Sequence, residues 1–405
     1  MKVVHLSTVD TGGAANAAYR LHQGLLDSGI DSKFLVLHNT NALKEVLTFH
    51  TPSHDAFRFF FRKVKYRFWR WMTGRYLNEL SKDVEIFSTP ISIYDVNVLT
   101  EIRDSEIIHL HWIANFIDYP SFFKKNRKPL VWTFHDENPL HGGIHYSGDI
   151  LKLSTRLLKI EKYFEKIKKN ALTGTDKIWP ICPSPWLLKA VKSSLCQELF
   201  KEATCIYYGI DTEKFKLQDK SLARKQLGLP EDKRLILLIC SNLNLYRKGF
   251  DLFRGLIERI KSDDQLEFVL AGELTNVMPL QFCRHIGIIS DQSKLVQLYN
   301  AVDATIVPSR EDNLPNVMIE SLTCGTPVLG FRVGGIQDVI HDNFNGLLAR
   351  QVSVDELYNT VIKFLSLNFS SYDIRKKAIE IFSNDVQVDK VTELYKNCIK
   401  TNMPN

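Results

Sequence analysis

The sequence ATIVPSREDNLPNVMIESLTCGTP occupies residues 304–327. Ala304 to Val307 form a short apolar run suited to a strand buried on both faces. A polar loop comes after it. Pro315 suits the first position of a helix, with Asn313 or Leu314 at its cap, and Cys324-Gly325-Thr326-Pro327 ends the helical pattern. A buried strand feeding a helix through a polar loop is the building unit of a parallel sheet.

The same unit recurs on both sides of this stretch. Apolar runs at Lys2–Leu6, Phe34–Leu37, Ile107–Leu110, Leu130–Phe134, Lys177–Ile181 and Thr204–Tyr208 alternate with longer helical or mixed segments. After the turn-like Tyr208-Gly209-Ile210-Asp211 the alternation restarts at Leu235–Cys240, Leu266–Leu270, Arg284–Ile286, Ala304–Pro308, Pro327–Gly330 and Gly346–Leu348. This pattern predicts an α/β protein with two doubly wound, Rossmann-like domains, 1–208 and 209–385. A carboxyl-terminal helix, Val386–Lys400 within 386–405, is expected to pack back on the first domain. In such sheets ligands bind beyond the carboxyl ends of the strands, so site residues are sought in strand-to-helix loops, facing a cleft between the domains.

Composition narrows the function classes. The 405 residues are 44% hydrophobic and 24% charged, a globular balance. The 52 Lys and Arg against 46 Asp and Glu leave +6. Phe57 to Arg75 alone carries seven of those cations and no acid, so the basicity is local and a globally basic nucleic-acid binder is disfavoured. The seven cysteines are scattered and never form CxxC, which argues against a zinc finger or a disulfide framework. No run approaches the length of a membrane span, and the amino terminus lacks the apolar core of a signal peptide. A cytoplasmic location is expected.

Four loops carry candidate chemistry. Gly12 and Gly13, after the opening strand, permit close backbone approach and offer helix-start amides to an anion. His135, at the end of Leu130–Phe134, can donate to a sugar hydroxyl, with Asp136 either orienting it or capping the next helix. Arg247 and Lys248 are placed to neutralise a diphosphate. In the 304–327 stretch, Asn313, Leu314, Pro315 and Asn316 lead into a helix whose free amino-terminal amides can hold phosphate oxygens. Asp312 can accept from sugar hydroxyls, and Glu320 can grip a ribose diol. Each feature also has a plain reading: a tight turn, a core histidine, a solvated basic pair, or a capping Asp with a surface Glu. His109 and His111, two apart on one strand, raise a rival chemistry, a metal-dependent hydrolase, although no carboxylate stands at hydrolase spacing.

Taken together, the motifs resemble the retaining GT-B glycosyltransferases of family 4. The resemblance rests on TGGAAN (11–16), TFHD (133–136), YYGIDTEKF (207–215), RKGFD (247–251), HIGIIS (285–290), and the run from LYNAVDATIVPSRED through LPNVMIESLTCGTPVLGFRVGGIQDVI (298–340). It implies a nucleotide-diphosphate sugar donor, no metal or other cofactor, and transfer of a hexose or deoxyhexose to a glycan or lipid-linked acceptor in bacterial surface polysaccharide synthesis. By the same resemblance Gly12 and Gly13 contact phosphates, and His135 contacts the donor sugar. Lys248 binds the diphosphate, Asp312 and Glu320 form the acidic pair, and the turn at Ile288 borders the base. Two positions depart from the family. Asp312 replaces the first glutamate, with Glu311 one position out of register. Asn242 stands where an arginine is expected, which leaves Arg247 to supply that charge or to face solvent. These departures admit a catalytically silent sugar-binding subunit as a non-enzyme alternative.

Residues 57–75, FRFFFRKVKYRFWRWMTGR, interleave eight aromatics with the seven cations. As a helix this segment suits an anionic membrane interface; the alternative is a packed helix with a solvated basic face. The aromatics lack the sheet platform that single-stranded nucleic acid prefers.

Overall fold

The computed structural model describes the chain except residues 42–44, 52–54, 78–79, 81–83, 176, 261–264, 275–282 and 403–405, and the side chains of residues 72, 75 and 76. The last three residues of the expected 386–405 element therefore lie outside the described residues, as do two side chains of the cationic segment. The chain divides into two compact units, Met1–Tyr207 with Gln387–Asn405, and Tyr208–Val386.

Among the described residues the first unit holds seven strands: β1 (Lys2–Val9), β2 (Asp31–His38), β3 (Val46–Thr48), β4 (Ile107–Leu110), β5 (Leu130–Thr133), β6 (Ile178–Cys182) and β7 (Thr204–Cys205). Their order across the sheet is β3-β2-β1-β4-β5-β6-β7, and every pairing is parallel. The second unit holds β8 (Arg234–Asn242), β9 (Leu266–Glu273), β10 (Cys283–His285), β11 (Ala304–Val307), β12 (Val328–Phe331) and β13 (Gly346–Ala349). These run in the order β10-β9-β8-β11-β12-β13, again all parallel. In β4, β5, β6, β11, β12 and β13 every residue is buried. That is why they read as continuous apolar runs rather than as alternation.

Three local features differ from the expectation. The edge strand β3 spans only three residues, too few for a periodic signal. β7 stops at Cys205 because only Ile181 and Cys182 of β6 remain to pair with it. The helix after β11 starts at Asn316, so Pro315 is its cap (φ −65°, ψ 125°) and not its first residue. Asn313 and Leu314 do not cap because both are packed inside, 1% and 4% exposed.

The carboxyl-terminal helix Asn384–Asn402 presents Val388, Val391, Tyr395 and Cys398 to a cluster with Val3, Ile107, Val131 and Ile181 of the first sheet and Leu21 of the helix Gly12–Asp27. All seven cysteines are free thiols. No helix among the described residues is long and apolar enough to cross a membrane.

Both sheets reverse their winding beside the first strand of the unit, between β1 and β4 and between β8 and β11. At such a switch point the loops leaving neighbouring strands turn opposite ways and open a crevice. Residues distant in sequence are brought together there, and each unit gains one polar cluster.

Candidate functional site

In the second unit the loops after β8 and β11 meet at one carboxylate. Lys248, in the turn Tyr246–Lys248, places Nζ 2.5 Å from Asp312 Oδ2. Arg247 Nη1 lies 3.5 Å from the same oxygen and donates to the Glu311 carbonyl at 2.9 Å. Ser309 Oγ donates to Asp312 Oδ2 at 3.3 Å. Arg247 therefore faces the carboxylate rather than solvent. Burial by itself would raise the Asp312 pKa. The charges of Lys248 and Arg247 and the hydrogen bonds from Lys248 and Ser309 outweigh it, holding the carboxyl below its ordinary range.

The backbone here is close-packed. Gly249 sits at φ +72°, and a Cβ on it would lie 1.9 Å from the Pro308 carbonyl oxygen. Gly334, at φ +51°, would drive a Cβ to 1.8 Å from the Asp312 carbonyl oxygen. Only glycine suits either position. Arg310 clamps the two loops together: its amide donates to the Arg247 carbonyl at 2.8 Å, and its guanidinium lies 3.9 Å from the Tyr246 ring and pairs with Asp251. Nothing in the sequence singled out Arg310, because its partners lie 59 to 64 positions away.

Glu320 is 6% exposed and accepts from Tyr299 Oη at 2.9 Å, so it is not a surface glutamate. Glu311 is half-buried, and its neighbour Asp312 pairs with Lys248 and Arg247. Asn242 accepts from the amide and side chain of Asn244 in a local turn at 2.9 and 2.8 Å, so it supplies no charge. Ile288 is 69% exposed beside Gly287, whose φ is +75°.

In the first unit Gly12 opens the helix Gly12–Asp27 at φ +86°, and no acid occupies the first turn. The buried Asp10 fixes this loop by accepting from the amides of Thr40 and Asn41 at 2.8 and 2.7 Å. His135 leaves β5 with Nε2 3.1 Å from His111 Nδ1. Asp136 does not hydrogen-bond its neighbour His135. It accepts instead from Trp112 Nε1, His145 Nδ1 and the Asn138 amide at 3.1, 2.6 and 2.9 Å. His145 Nε2 continues to Ser88 Oγ at 2.7 Å. Ser88 is buried, so this Ser-His-Asp chain staples the loop and presents no nucleophile. Glu161 completes the support, accepting from the amides of Gly142, Gly143 and Ile144.

His109 does not stand open to a ligand. Its nitrogens lie 2.6 Å from Tyr395 Oη and 2.8 Å from Thr133 Oγ1. His5, His109 and His111 together bring ligand atoms within 4.8 Å of one another, the spacing a metal could use. Both nitrogens of His109 and of His111 are already hydrogen-bonded, which sets the trio apart from an open metal site. His5 gives no sign of its role in the sequence because it lies inside an apolar run; only the β1–β4 pairing reveals it beside His109.

Twin parallel sheets of this winding, with loop chemistry at their switch points, define the GT-B class of α/β proteins. Residues 219–381 match the family described as Glycosyl transferases group 1. It is 28% identical over 192 residues to D-inositol 3-phosphate glycosyltransferase 2 of Catenulispora acidiphila, covering 42% of this chain and 44% of that protein. It is 23% identical over 314 residues to an uncharacterized glycosyltransferase of Methanocaldococcus jannaschii, covering 72% and 75%. The first alignment thus spans less than half of the relative's length. Among solved structures, sucrose-phosphate synthase from Thermosynechococcus elongatus superposes with a TM-score of 0.70 at 16% identity, covering 99% of this chain and all of that one. Anabaena HepE, solved in complex with UDP and glucose, gives 0.66 at 17% identity over 98% and 99%. At these identities the structures speak for the fold.

Proposed function

We propose that this protein is a retaining, metal-independent glycosyltransferase. It moves a hexose or deoxyhexose from a nucleotide-diphosphate sugar to a glycan or lipid-linked saccharide in bacterial surface polysaccharide or glycoconjugate synthesis. The observation that carries this reading is the convergence of Lys248 and Arg247 on Asp312 at the switch point of the second sheet, beside the helix that starts at Asn316. The complex of Anabaena HepE with UDP-glucose supports the donor class.

In this reading Gly12, Gly13 and the amides around Asn313–Asn316 receive phosphate oxygens, and Glu320 receives the ribose. Lys248 carries three N–H donors, so it can keep Asp312 while donating to the diphosphate. As the diphosphate leaves, the anomeric carbon gains oxocarbenium character and the acceptor hydroxyl attacks from the same face. The protein contributes positioning and stabilisation of leaving-group charge, and no protein nucleophile is required.

The reading includes peripheral contact with the inner face of the cytoplasmic membrane. Helix Ala56–Leu77 exposes Phe57, Phe60, Phe61, Val64, Phe68 and Trp71, each more than half accessible. Their three- and four-residue spacing places them on one face. Arg58, Lys63, Lys65, Arg67 and Arg70 are exposed beside them. The opposite face is docked, with Arg62 donating to the Ile93 carbonyl at 2.9 Å and Trp69 stacked on Phe164. The 57-61-64-68-71 rhythm would also suit a helix pair, but a second copy would set cations against cations. Anionic lipid meets both the rings and the charge.

A thermal-shift series with UDP, GDP, ADP and CMP, followed by transfer assays in excess EDTA, tests the reading. One nucleoside diphosphate stabilises the protein, and turnover of its sugar survives chelation. Loss of turnover under EDTA, or the absence of any stabilising nucleotide, refutes it.

A further inference from the structure

Lys248 occupies a turn with little rigidity of its own. Tyr246–Lys248 is a single turn of 3-10 helix, closed by the Lys248 amide on the Leu245 carbonyl at 3.0 Å and the Gly249 amide on the Tyr246 carbonyl at 3.1 Å. Such turns have poorer hydrogen-bond geometry than an α-helix and stay short for that reason. The place of Nζ, 2.5 Å from Asp312 Oδ2, therefore depends on contacts from outside the turn.

Arg310 supplies them on both flanks of the lysine. Its Nη1 donates to the Tyr246 carbonyl at 2.8 Å and to Asp251 Oδ1 at 2.7 Å, and its Nη2 donates to Asp251 Oδ2 at 2.5 Å. The guanidinium carbon lies 3.9 Å from the centre of the Tyr246 ring. Tyr246 precedes Lys248 and Asp251 follows it, in the first turn of the helix Phe250–Arg259, so one planar fork spans the lysine from both sides. None of these contacts reaches Asp312. The Asp251 side chain is 47% exposed, and an ion pair so open to water contributes little stability. What the fork does contribute is geometry, and a group at a reaction centre misplaced by about 1 Å can lose about 10² in rate.

We propose that Arg310 is a positioning residue for Lys248, holding its ammonium at Asp312 ready for the leaving diphosphate, and that it acts on transfer only through Lys248. The proposal rests on the glycosyltransferase reading for the diphosphate, whereas the hold on Lys248 stands on the contacts alone. Arginine is required at this place. A lysine carries one donor group and no plane, so it cannot bridge Tyr246 and Asp251 while stacking on the ring.

Initial rates of the full-length protein test the chain of action. Arg310→Met keeps the stem and removes every side-chain donor; it should lower kcat about tenfold with KM for the nucleotide sugar within about twofold. Arg310→Lys keeps the charge without the fork and should recover only part of that loss. The deciding measurement is the double variant. Adding Arg310→Met to Lys248→Ala should cost less than about twofold, because the group it positions is already gone. Losses that multiply in the double variant overturn the proposal, since Arg310 then acts by another route. A chemical readout needs no turnover. In trace acetylation with acetic anhydride, read by peptide mapping, Lys248 should react more slowly than Lys225, whose side chain is 64% exposed. Arg310→Met should raise the Lys248 rate several-fold and leave that of Lys225 unchanged. An unchanged Lys248 rate overturns the proposal. Should Arg310→Met fail to fold, Asp251→Asn, on the exposed partner, carries both measurements. If the parent protein turns over no nucleotide sugar, the functional reading falls while the acetylation rates still decide the hold on Lys248.

Discussion

The two units solve the placement of polar groups behind a buried sheet in opposite ways. The first unit gathers His5, His22, His109, His111 and His135 around β1, β4 and β5, and keeps them uncharged by burial. The second brings full charges together, Lys248 and Arg247 on Asp312, and Arg224 and Lys220 on Asp303. Imidazoles donate and accept without the desolvation cost of an ion, which suits orientation of a neutral partner. Paired ions hold a strong local field, which suits an anion.

Acid separates the two units most sharply. His5, His22, His109, His111 and His135 each have a folded pKa below the unfolded value near 6.5, with His109 at about 3. Between those values the unfolded chain binds more protons, so stability falls as pH drops below about 6.5. The loss is at most about 2 kcal/mol per fully buried histidine at pH 5. In the second unit the depressed group is a carboxylate. Asp312 contributes stability above its unfolded value of 3.8, lost only as pH falls through its lower folded pKa. The two histidines there, His285 and His341, are exposed. All six tryptophans lie in the first unit, at 69, 71, 112, 132, 179 and 186. An acid titration should therefore show the tryptophan emission transition near pH 5, ahead of the remaining loss of far-UV circular dichroism. Coincident transitions would remove the contrast.

The second comparison is catalytic. Lys248→Ala deletes a cation held on a buried carboxylate and, in the proposed reaction, on the leaving diphosphate. Its cost in kcat/KM should be about 2 to 4 kcal/mol, a factor of roughly 30 to 10³. Arg247, 3.5 Å from Asp312, remains to compensate the carboxylate, so the melting temperature should fall only slightly. His135→Ala removes a neutral donor and should cost about tenfold. Equal losses from the two variants, measured by initial rates at matched donor concentration, would show that the neutral cluster matters as much as the charged one.

The contrast also explains what the sequence could disclose. Charged loop residues announce themselves: Lys248, Asp312 and Glu320 stand out in or just after polar loops between apolar runs. Their departures are legible too, with Asn242 lacking the expected charge and Arg247 beside Lys248 as its replacement. The direction of Arg247 is not legible, because it depends on the β8–β11 adjacency that carries Glu311 and Asp312 to it. The buried histidines are half hidden. His109 and His111 stand out as a pair, but the metal reading they suggest leaves out Tyr395, 286 positions away on the terminal helix, which occupies His109. Cap positions mislead for a smaller reason: Asn313 and Leu314 look free to cap until packing claims them, and Pro315 takes the place.

A third contrast lies within the first unit, between the docked and bare faces of helix Ala56–Leu77. Trp69 stacks on Phe164, with ring centroids 5.5 Å apart, while Phe61 and Phe68 on the other face remain more than half exposed. Substituting both exposed rings, Phe61→Ser with Phe68→Ser, removes no internal contact of the core and should leave the melting temperature nearly unchanged. Affinity for vesicles rich in phosphatidylglycerol should fall about tenfold, since each ring sinks only partly into the interface. Raising salt should weaken the parent and the variant alike, because the cations beside the rings are untouched. Flotation at two ionic strengths separates the contributions. Equal flotation of parent and double variant would assign the face to charge alone. Binding to neutral vesicles as strong as to anionic ones would assign it to the rings alone, and neither outcome fits a surface built from both.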